Sequence, residues 1–391
     1  MVNQLPQGWK EVPFNSIFDV CNSGKEKIKQ SEYLPKADGL LPVVDQGQNL
    51  VSGYSNQFQK VILAKDNPLI VFGDHTRCVK YIDFDFVVGA DGTQLIRTKE
   101  NTLVKLGYYQ LMSANIPNNG YSRHFKYVKE QAYKLIIDKD EQKYIVDTLD
   151  AVAEIIRLRK ENIQLTKDLI PTIFHEMFGD PERKICLADV ATIKGGKRLP
   201  YGGQLQDETT VHPYIRIADM VNNTIKKDEL KYISDVIYNK IQNYTISSRD
   251  VYISIAGTIG RVGLVPDNLE GANLTENAAK IVLNENKINK VFLVYELLTD
   301  VLQSQIKSLT VQAGVPKLAI SRIESLKIYC PPLSEQEEFA DKVEQINKYI
   351  AAQQEELEQF ETLFQSLLHE AFTGVLTWNY PRKECHDKKD K

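Results

Sequence analysis

Only five cysteines occur in 391 residues, and Cys21, Cys78, Cys186, Cys330 and Cys385 form no CxxC pair and have no histidine-rich companion. Neither a zinc site nor a disulfide framework is indicated, and a reducing cytosol suits such a chain. Long apolar runs are missing too. No stretch approaches the roughly 18 apolar residues that a membrane span needs, and no charged segment followed by an apolar one opens the chain. The expectation is a soluble, cytoplasmic protein. Nucleotide and metal chemistry lack their signatures, with no GxxxxGK[ST] loop, no GxGxxG after a strand and no HExxH. That excludes an ATP-driven motor and a self-sufficient nucleotide-binding methyltransferase. A nuclease with dispersed carboxylates needs no readable motif and stays open. His75 beside Asp74 is no catalytic pair, because sequence neighbours at a strand end point apart.

What the chain does contain is a repetition. Residues 120–178 and 314–372 align without a gap at an offset of 194, placing Gly120 on Gly314, Arg123 on Lys317 and Glu141-Gln142 on Glu335-Gln336. Both copies end in one phrase, His175-Glu176-Met177-Phe178 and His369-Glu370-Ala371-Phe372. Such a repeat decides architecture before other signals do. Apolar residues in each copy step by four and three alternately, through Ile145, Leu149, Val152, Ile156, Ile163, Ile170, Ile173 and Met177, then Phe339, Val343, Ile346, Ile350, Leu357, Phe360, Phe364, Leu367 and Ala371. This is a coiled-coil seam, so each copy is read as one long helix. Ser334 with Glu337 reads as a capping box, Asp140 holds the equivalent place, and Pro171 is expected to kink the first helix. Polar Arg159, Thr166 and Gln353 interrupt the seam, either pinning its register or marking a widened, solvated stretch.

A chain this long exceeds one core. The reading is a first domain at 1–139, a helix at 140–179, a second domain at 180–333, a helix at 334–374 and a tail at 375–391, whose Val375-Leu376-Thr377-Trp378 is expected to dock on the first domain. The tail from Arg382 is expected to be disordered. Short connections at opposite ends of the two helices predict an antiparallel pair. The net charge of −4 is uneven: the helices carry −3 and −8 and the tail +2, leaving +5 on the two domains. Acidic helices with basic domains suit a protein that touches nucleic acid through its domains and other proteins through its helices.

Both domains are rich in short β-branched and aromatic runs, such as Leu69–Phe72 and Val251–Ile255, and open alike, with Ser23-Gly24-Lys25 matched by Gly195-Gly196-Lys197. Two loops combine glycine, hydroxyl and basic side chains after a strand: Gly73-Asp74-His75-Thr76-Arg77 and Gly257-Thr258-Ile259-Gly260-Arg261. Glycine permits close approach to a polyanion, threonine can donate to phosphate, and arginine can fork onto guanine or phosphate. The alternative is an ordinary glycine hairpin with solvated charges. The candidate DNA-contact residues are Gln46, Gln48, His75, Thr76, Arg77, Arg123, Lys126, Lys197, Arg198, Arg216, Thr258, Arg261 and Lys317, with His124 a further basic group beside Arg123.

The chain resembles the specificity subunit of type I restriction-modification systems. The resemblance is carried by Pro331-Pro332-Leu333-Ser334-Glu335-Gln336, Phe372-Thr373-Gly374, the Trp9-Lys10-Glu11-Val12 opening, the Gly47–Tyr54 and Asp74-His75-Thr76 loops and Gly257-Thr258-Ile259-Gly260. The first copy departs from the frame, with Ile136-Ile137-Asp138-Lys139-Asp140 in place of the double proline. The resemblance implies an α+β architecture in which two sheet-dominated target-recognition domains are joined and separated by two long antiparallel coiled-coil helices in a pseudo-twofold repeat. It implies a non-catalytic subunit that binds double-stranded DNA, each domain reading half of an asymmetric bipartite target. Adenine methyltransferase subunits would dock along the helices, a restriction/translocase subunit would join through the complex, and S-adenosylmethionine, ATP and Mg would be bound by those partners, with no cofactor in this chain. The alternative is a coiled-coil protein-interaction scaffold without DNA specificity.

Overall fold

The structure, a computed structural model, describes residues 5–21, 26–120, 122–179, 184–311 and 316–377. Ser23-Gly24-Lys25, Gly314, Trp378 and the segment from Arg382 lie outside the described residues. The chain forms two compact units, residues 1–160 with 355–391 and residues 161–354. Each long helix is thus shared between the units and is not a region of its own.

In the first unit, strands Trp9–Pro13 and Ala132–Ile136 pair antiparallel and tie the start of the domain to its end. Two four-stranded sheets lie between them. One is antiparallel, in the order Phe18–Val20, Thr93–Thr98, Leu69–Gly73, Val79–Ile82. The other runs Gly53–Ser55, Leu41–Val44, Phe86–Val88, Val61–Ile62, with its central pair parallel. Leu69-Ile70-Val71-Phe72 is continuously apolar because both its faces are covered. Ile70 and Phe72 enter a core with Phe14, Phe18 and Phe125, while Leu69 and Val71 enter another with Val44, Phe86 and Val88.

The second unit repeats this plan strand for strand. Ile185–Cys186 pairs with Lys327–Ile328. One sheet runs Ala191–Gly195, Ala278–Leu283, Val251–Ser254, Val262–Leu264, and the other Lys231–Tyr232, Pro213–Ile215, Ala272–Leu274, Thr245–Ile246, again with a parallel central pair. Helix Asp235–Ile241 and the hairpin Met220–Val221/Thr224–Ile225 have no counterpart among the described residues of the first unit. The hairpin turns through Asn222 and Asn223, both in the left-handed conformation that a two-residue hairpin loop requires.

The long helices span Lys139–Phe178 and Leu333–Thr373, each about 60 Å at 1.5 Å per residue. In the first unit Ile145 and Leu149 share a core with Phe364, Leu368 and Ala371, while Arg159 pairs with Glu356 and Lys160 with Glu361, so the two helices run antiparallel there. In the second unit Phe174 and Phe178, at the end of the first helix, meet Phe339 near the start of the second with ring centroids 5.2 and 5.8 Å apart. Of the seam positions, Ile145, Leu149, Ile163, Ile170, Phe339, Val343, Ile350 and Phe364 are buried; Val152, Ile156, Ile346, Leu357, Phe360 and Leu367 are half-buried. Towards the ends burial moves one residue on, to Phe174, Phe178 and Leu368, because a 3.6-residue helix drifts against a 3.5 repeat and the ends also pack on the sheet domains. The corresponding polar positions differ: Arg159 reaches Glu356 and lies 5.6 Å over the Phe360 ring, whereas Gln353 is buried with Oε1 unpartnered among the described residues. The first helix continues through an exposed Pro171 to Phe178.

The helix starts correct the expected caps. Asp138, not Asp140, caps the first helix, its Oδ1 accepting from the Asp140 N–H at 2.8 Å and the Glu141 N–H at 3.3 Å. The second begins at Leu333, one residue early for a Ser334 cap, and its first amides from Glu335 and Gln336 donate to the Pro332 carbonyl. Gln142 and Gln336, both fully buried, then perform one task twice. Gln142 accepts from the Leu103 N–H at 2.8 Å and donates to the Asn101 and Ile136 carbonyls. Gln336 accepts from the Asn289 N–H at 2.8 Å and donates to Lys287 and Pro331. Each glutamine bolts a domain to its helix. At the other end of the second helix Gly374 turns left-handed, where a Cβ would lie 2.2 Å from Pro6, and Leu376 packs beside the cluster that contains Trp9. Thr377 is fully buried.

Candidate nucleic-acid interface

In the first unit the candidate loop joins strands Leu69–Gly73 and Val79–Ile82, and two other chain segments hold it. The Asp74 carboxylate accepts from the Phe125 N–H at 2.8 Å, and the Asp74 carbonyl accepts from the His124 N–H and lies 2.9 Å from its Nδ1. Gln46 Oε1 accepts from the His75 N–H at 3.2 Å, the Gln46 carbonyl accepts from the Thr76 hydroxyl, and His75 Nδ1 lies 3.1 Å from the Ser122 carbonyl. Gly73 allows this closeness, since a Cβ would lie 2.7 Å from the Gln46 carbonyl. Residues distant in sequence, Gln46, His75, Thr76 and the segment at 122–125, thereby become one surface. His124 is not a surface base: it is fully buried and acts as a clasp.

Gln48, Thr76, Arg123 and Lys126 remain exposed on these segments. Lys126 lies 4.7 Å over the Tyr127 ring. Arg77 adopts a left-handed φ of 61° and donates through Nη1 to the Ile116 carbonyl at 3.3 Å, so its guanidinium braces the loop first. The structure adds residues that sequence reasoning missed. Lys27 donates to the Thr93 carbonyl at 2.8 Å, and its pKa is lowered by burial and the like charge of Arg123, against the pull of Asp91 and Asp74. A cation held near a second cation is a ready phosphate contact. Lys80, buried, donates to the Asp45 carbonyl at 2.8 Å, while the Asp45 carboxylate accepts from the Gly47 N–H, Ser52 hydroxyl and Tyr33 hydroxyl, shaping the loop that carries Gln46 and Gln48. The alternation in Val79–Ile82 signals Lys80, because it shares the inward face with Ile82.

The corresponding loop of the second unit joins Val251–Ser254 to Val262–Leu264. Ser254 Oγ donates to the Thr258 carbonyl at 2.5 Å and accepts from the Arg261 N–H at 2.8 Å. Thr258 is exposed at the tip. Arg261, like Arg77, is tied through Nη1 to backbone carbonyls, those of Met220 at 3.1 Å and Ile217 at 3.3 Å. Arg216 grips Asp219 with two nitrogens and also donates to the Glu229 carbonyl, which makes it a brace for its turn and not a free fork. Arg198 is exposed but paired with Glu276 at 2.7 Å. Lys197 is exposed, with Nζ 5.2 Å over the Tyr244 ring, and Lys317 is exposed beside Ala256, with which it forms a β-bridge. Among the described residues no cluster of three His, Cys, Asp or Glu could hold a metal ion.

Each unit also carries a groove against its helices at the same internal position. In the first it measures about 730 Å³ and is lined by Tyr109, Ala153, Ile156, Glu358, Glu361 and Phe364; in the second it measures about 860 Å³ and is lined by Tyr295, Asn347, Ile350, Gln164, Lys167 and Ile170. The helix residues of the two sets correspond one to one through the repeat. Their charge does not: where the first groove has Glu358 and Glu361, the second has Gln164 and Lys167.

Residues 6–167 and 182–362 match the profile of the family described as the type I restriction modification DNA specificity domain. The chain is 22% identical over 409 residues to the type I restriction enzyme MjaVIII specificity subunit of Methanocaldococcus jannaschii, covering 95% of this chain and 94% of that one. It is 23% identical over 232 residues to the EcoBI specificity subunit of Escherichia coli, covering 58% and 46%. Among solved structures it resembles a type I restriction-modification S subunit from M. genitalium, at TM-score 0.53, 17% identity and 95% and 97% coverage. A chain from a study of complex assembly and conformational transition of the type I system gives TM-score 0.55, 19% identity and 95% and 100% coverage.

Proposed function

The chain belongs to the type I restriction-modification DNA specificity family, and on that footing we propose that each unit reads one half of an asymmetric bipartite sequence in double-stranded DNA. The observation that carries this reading is a repeated strand–loop–strand frame fitted with unlike loops, bearing Gln46, His75, Thr76 and Arg123 in the first unit and Lys197, Thr258 and Lys317 in the second. Equal frames present the loops equivalently, while unlike side chains read unlike bases. Lys27, Arg123 and Lys126 serve as phosphate contacts that set register, and Gln48 and Thr76 reach towards base edges.

The long helices act as the ruler between half-sites and as the dock for adenine methyltransferase subunits. Two equivalent grooves against the helices support two copies of one partner. A restriction/translocase subunit joins through that complex, and S-adenosylmethionine, ATP and magnesium belong to the partners, this chain itself being non-catalytic and working in the cytoplasm. The test is to assemble the chain with an adenine methyltransferase partner, map the methylated adenines, and then exchange residues 185–328 for those of a relative. One half of the target changes and the other stays. Retention on DNA without sequence preference, with or without partner, would leave the scaffold reading instead.

A further inference from the structure

Gln110 and Glu296 occupy the same place in the two units. Each lies seven residues beyond the N–H received by its helix glutamine, Leu103 for Gln142 and Asn289 for Gln336. Each faces a residue two before the carbonyl that takes the same glutamine's amide, Lys134 before Ile136 and Tyr329 before Pro331. In the first unit Gln110 makes both halves of the contact: Oε1 accepts from the Lys134 N–H at 2.7 Å and Nε2 donates to the Lys134 carbonyl at 3.0 Å. Glu296, 4% exposed, accepts from the Tyr329 N–H through Oε1, and its Oε2 is buried without a hydrogen-bond partner among the described residues.

We propose that Glu296 is a neutral carboxylic acid in the folded protein, its O–H replacing the Gln110 amide donor and reaching the Tyr329 carbonyl, so that the second unit takes up one proton as it folds. A carboxylate could only accept, and it would stand beside Phe292, Leu293 and Leu297 of a buried apolar cluster. The titratable and charged groups around it do not rescue the charge. Lys184, before strand Ile185–Cys186, attracts it, but burial outweighs that and pushes the acid up to about 8. Cys330, on the connection to the second long helix, is held as a thiol chiefly by burial, with Gln336 and Lys287 opposing. His175 and Lys167 of the first long helix, and Asp300, line the groove on which Glu296 borders.

The sign follows from linkage. Unfolded, the side chain titrates near 4.5; folded, near 8. Between those values the folded form holds a proton that the unfolded form lacks, so the stabilisation is complete below the lower value, falls as pH rises, and stops falling beyond the upper one. Inside the window each pH unit lowers the folded-to-unfolded ratio by up to about tenfold.

Urea unfolding of the full chain at pH 5.5, 7 and 9, comparing wild type with E296Q, tests this. E296Q carries the donor at every pH, so its advantage over wild type grows from pH 5.5 to 8 and then stays constant; Q110E brings the same slope into the first unit. An infrared carboxylic-acid band at pH 7, present in wild type and absent in E296Q, reports the proton independently of stability. Parallel stability curves for wild type and E296Q, or no loss of that band in E296Q, would overturn the proposal.

Discussion

Gln142 and Gln336 show how much one side chain can organise. Each satisfies three backbone groups from two different segments, one in a buried and two in part-buried hydrogen bonds, so truncation unpairs all of them at once. Gln142→Ala and Gln336→Ala are each expected to cost roughly 2–4 kcal/mol, given about 1–3 kcal/mol for an unsatisfied buried group. Denaturant unfolding measures this, and losses below 0.5 kcal/mol would refute the bolting role. The repeat already marks these glutamines as paired, but nothing in the local sequence says that they face inward to backbone. Arg77 and Arg261 illustrate the reverse. Sequence chemistry selects them for DNA contact, yet both are tied to carbonyls of other segments, and only the fold brings those carbonyls within reach. Arg77→Gly should therefore differ from Arg77→Ala: both lose the brace, but glycine relieves the left-handed backbone.

The strand-loop elements divide labour between holding and reading. Replacing Lys27, Arg123 or Lys126 by alanine should weaken binding to all duplexes alike and lower the salt slope by about 1 each, whereas Gln48→Ala should relax a single target position by about 1–3 kcal/mol. Titrating binding against salt on cognate and scrambled duplexes separates the two; a sequence-selective effect of any of these three basic residues would contradict the division. Gly73→Ala pushes a methyl into the Gln46 carbonyl and should disturb both loops while leaving the helices intact, visible as lost DNA affinity with unchanged helical circular dichroism. Strand runs, loop positions and helix periodicity were legible because each is a local pattern. The caps were misread by one or two residues, since Pro332 and Asp138 act through geometry that Ser334 and Asp140 imitate in composition.

For the molecule as a whole, closure of the first unit by residues 374–377 has a direct consequence. Deleting the chain from Val375 removes a buried Thr377 and uncovers the cluster around Trp9, so the melting temperature should fall by several degrees, as expected of a loss of about 1–2 kcal/mol. An unchanged melting temperature would refute the docking. Adding one heptad to both long helices in register should lengthen the unread spacer and leave both half-sites intact, read by mapping methylated adenines. The duplication, the long helices and the sheet-rich domains were determined by the sequence alone, because repeats and periodicity need no neighbour to be seen. Which polar side chains turn inward, which arginines brace and which loops meet was decided only by the tertiary structure. Those roles depend on partners far along the chain, 29 residues for Gln46 and His75 and 50 for Asp74 and His124, and no local pattern encodes such distances.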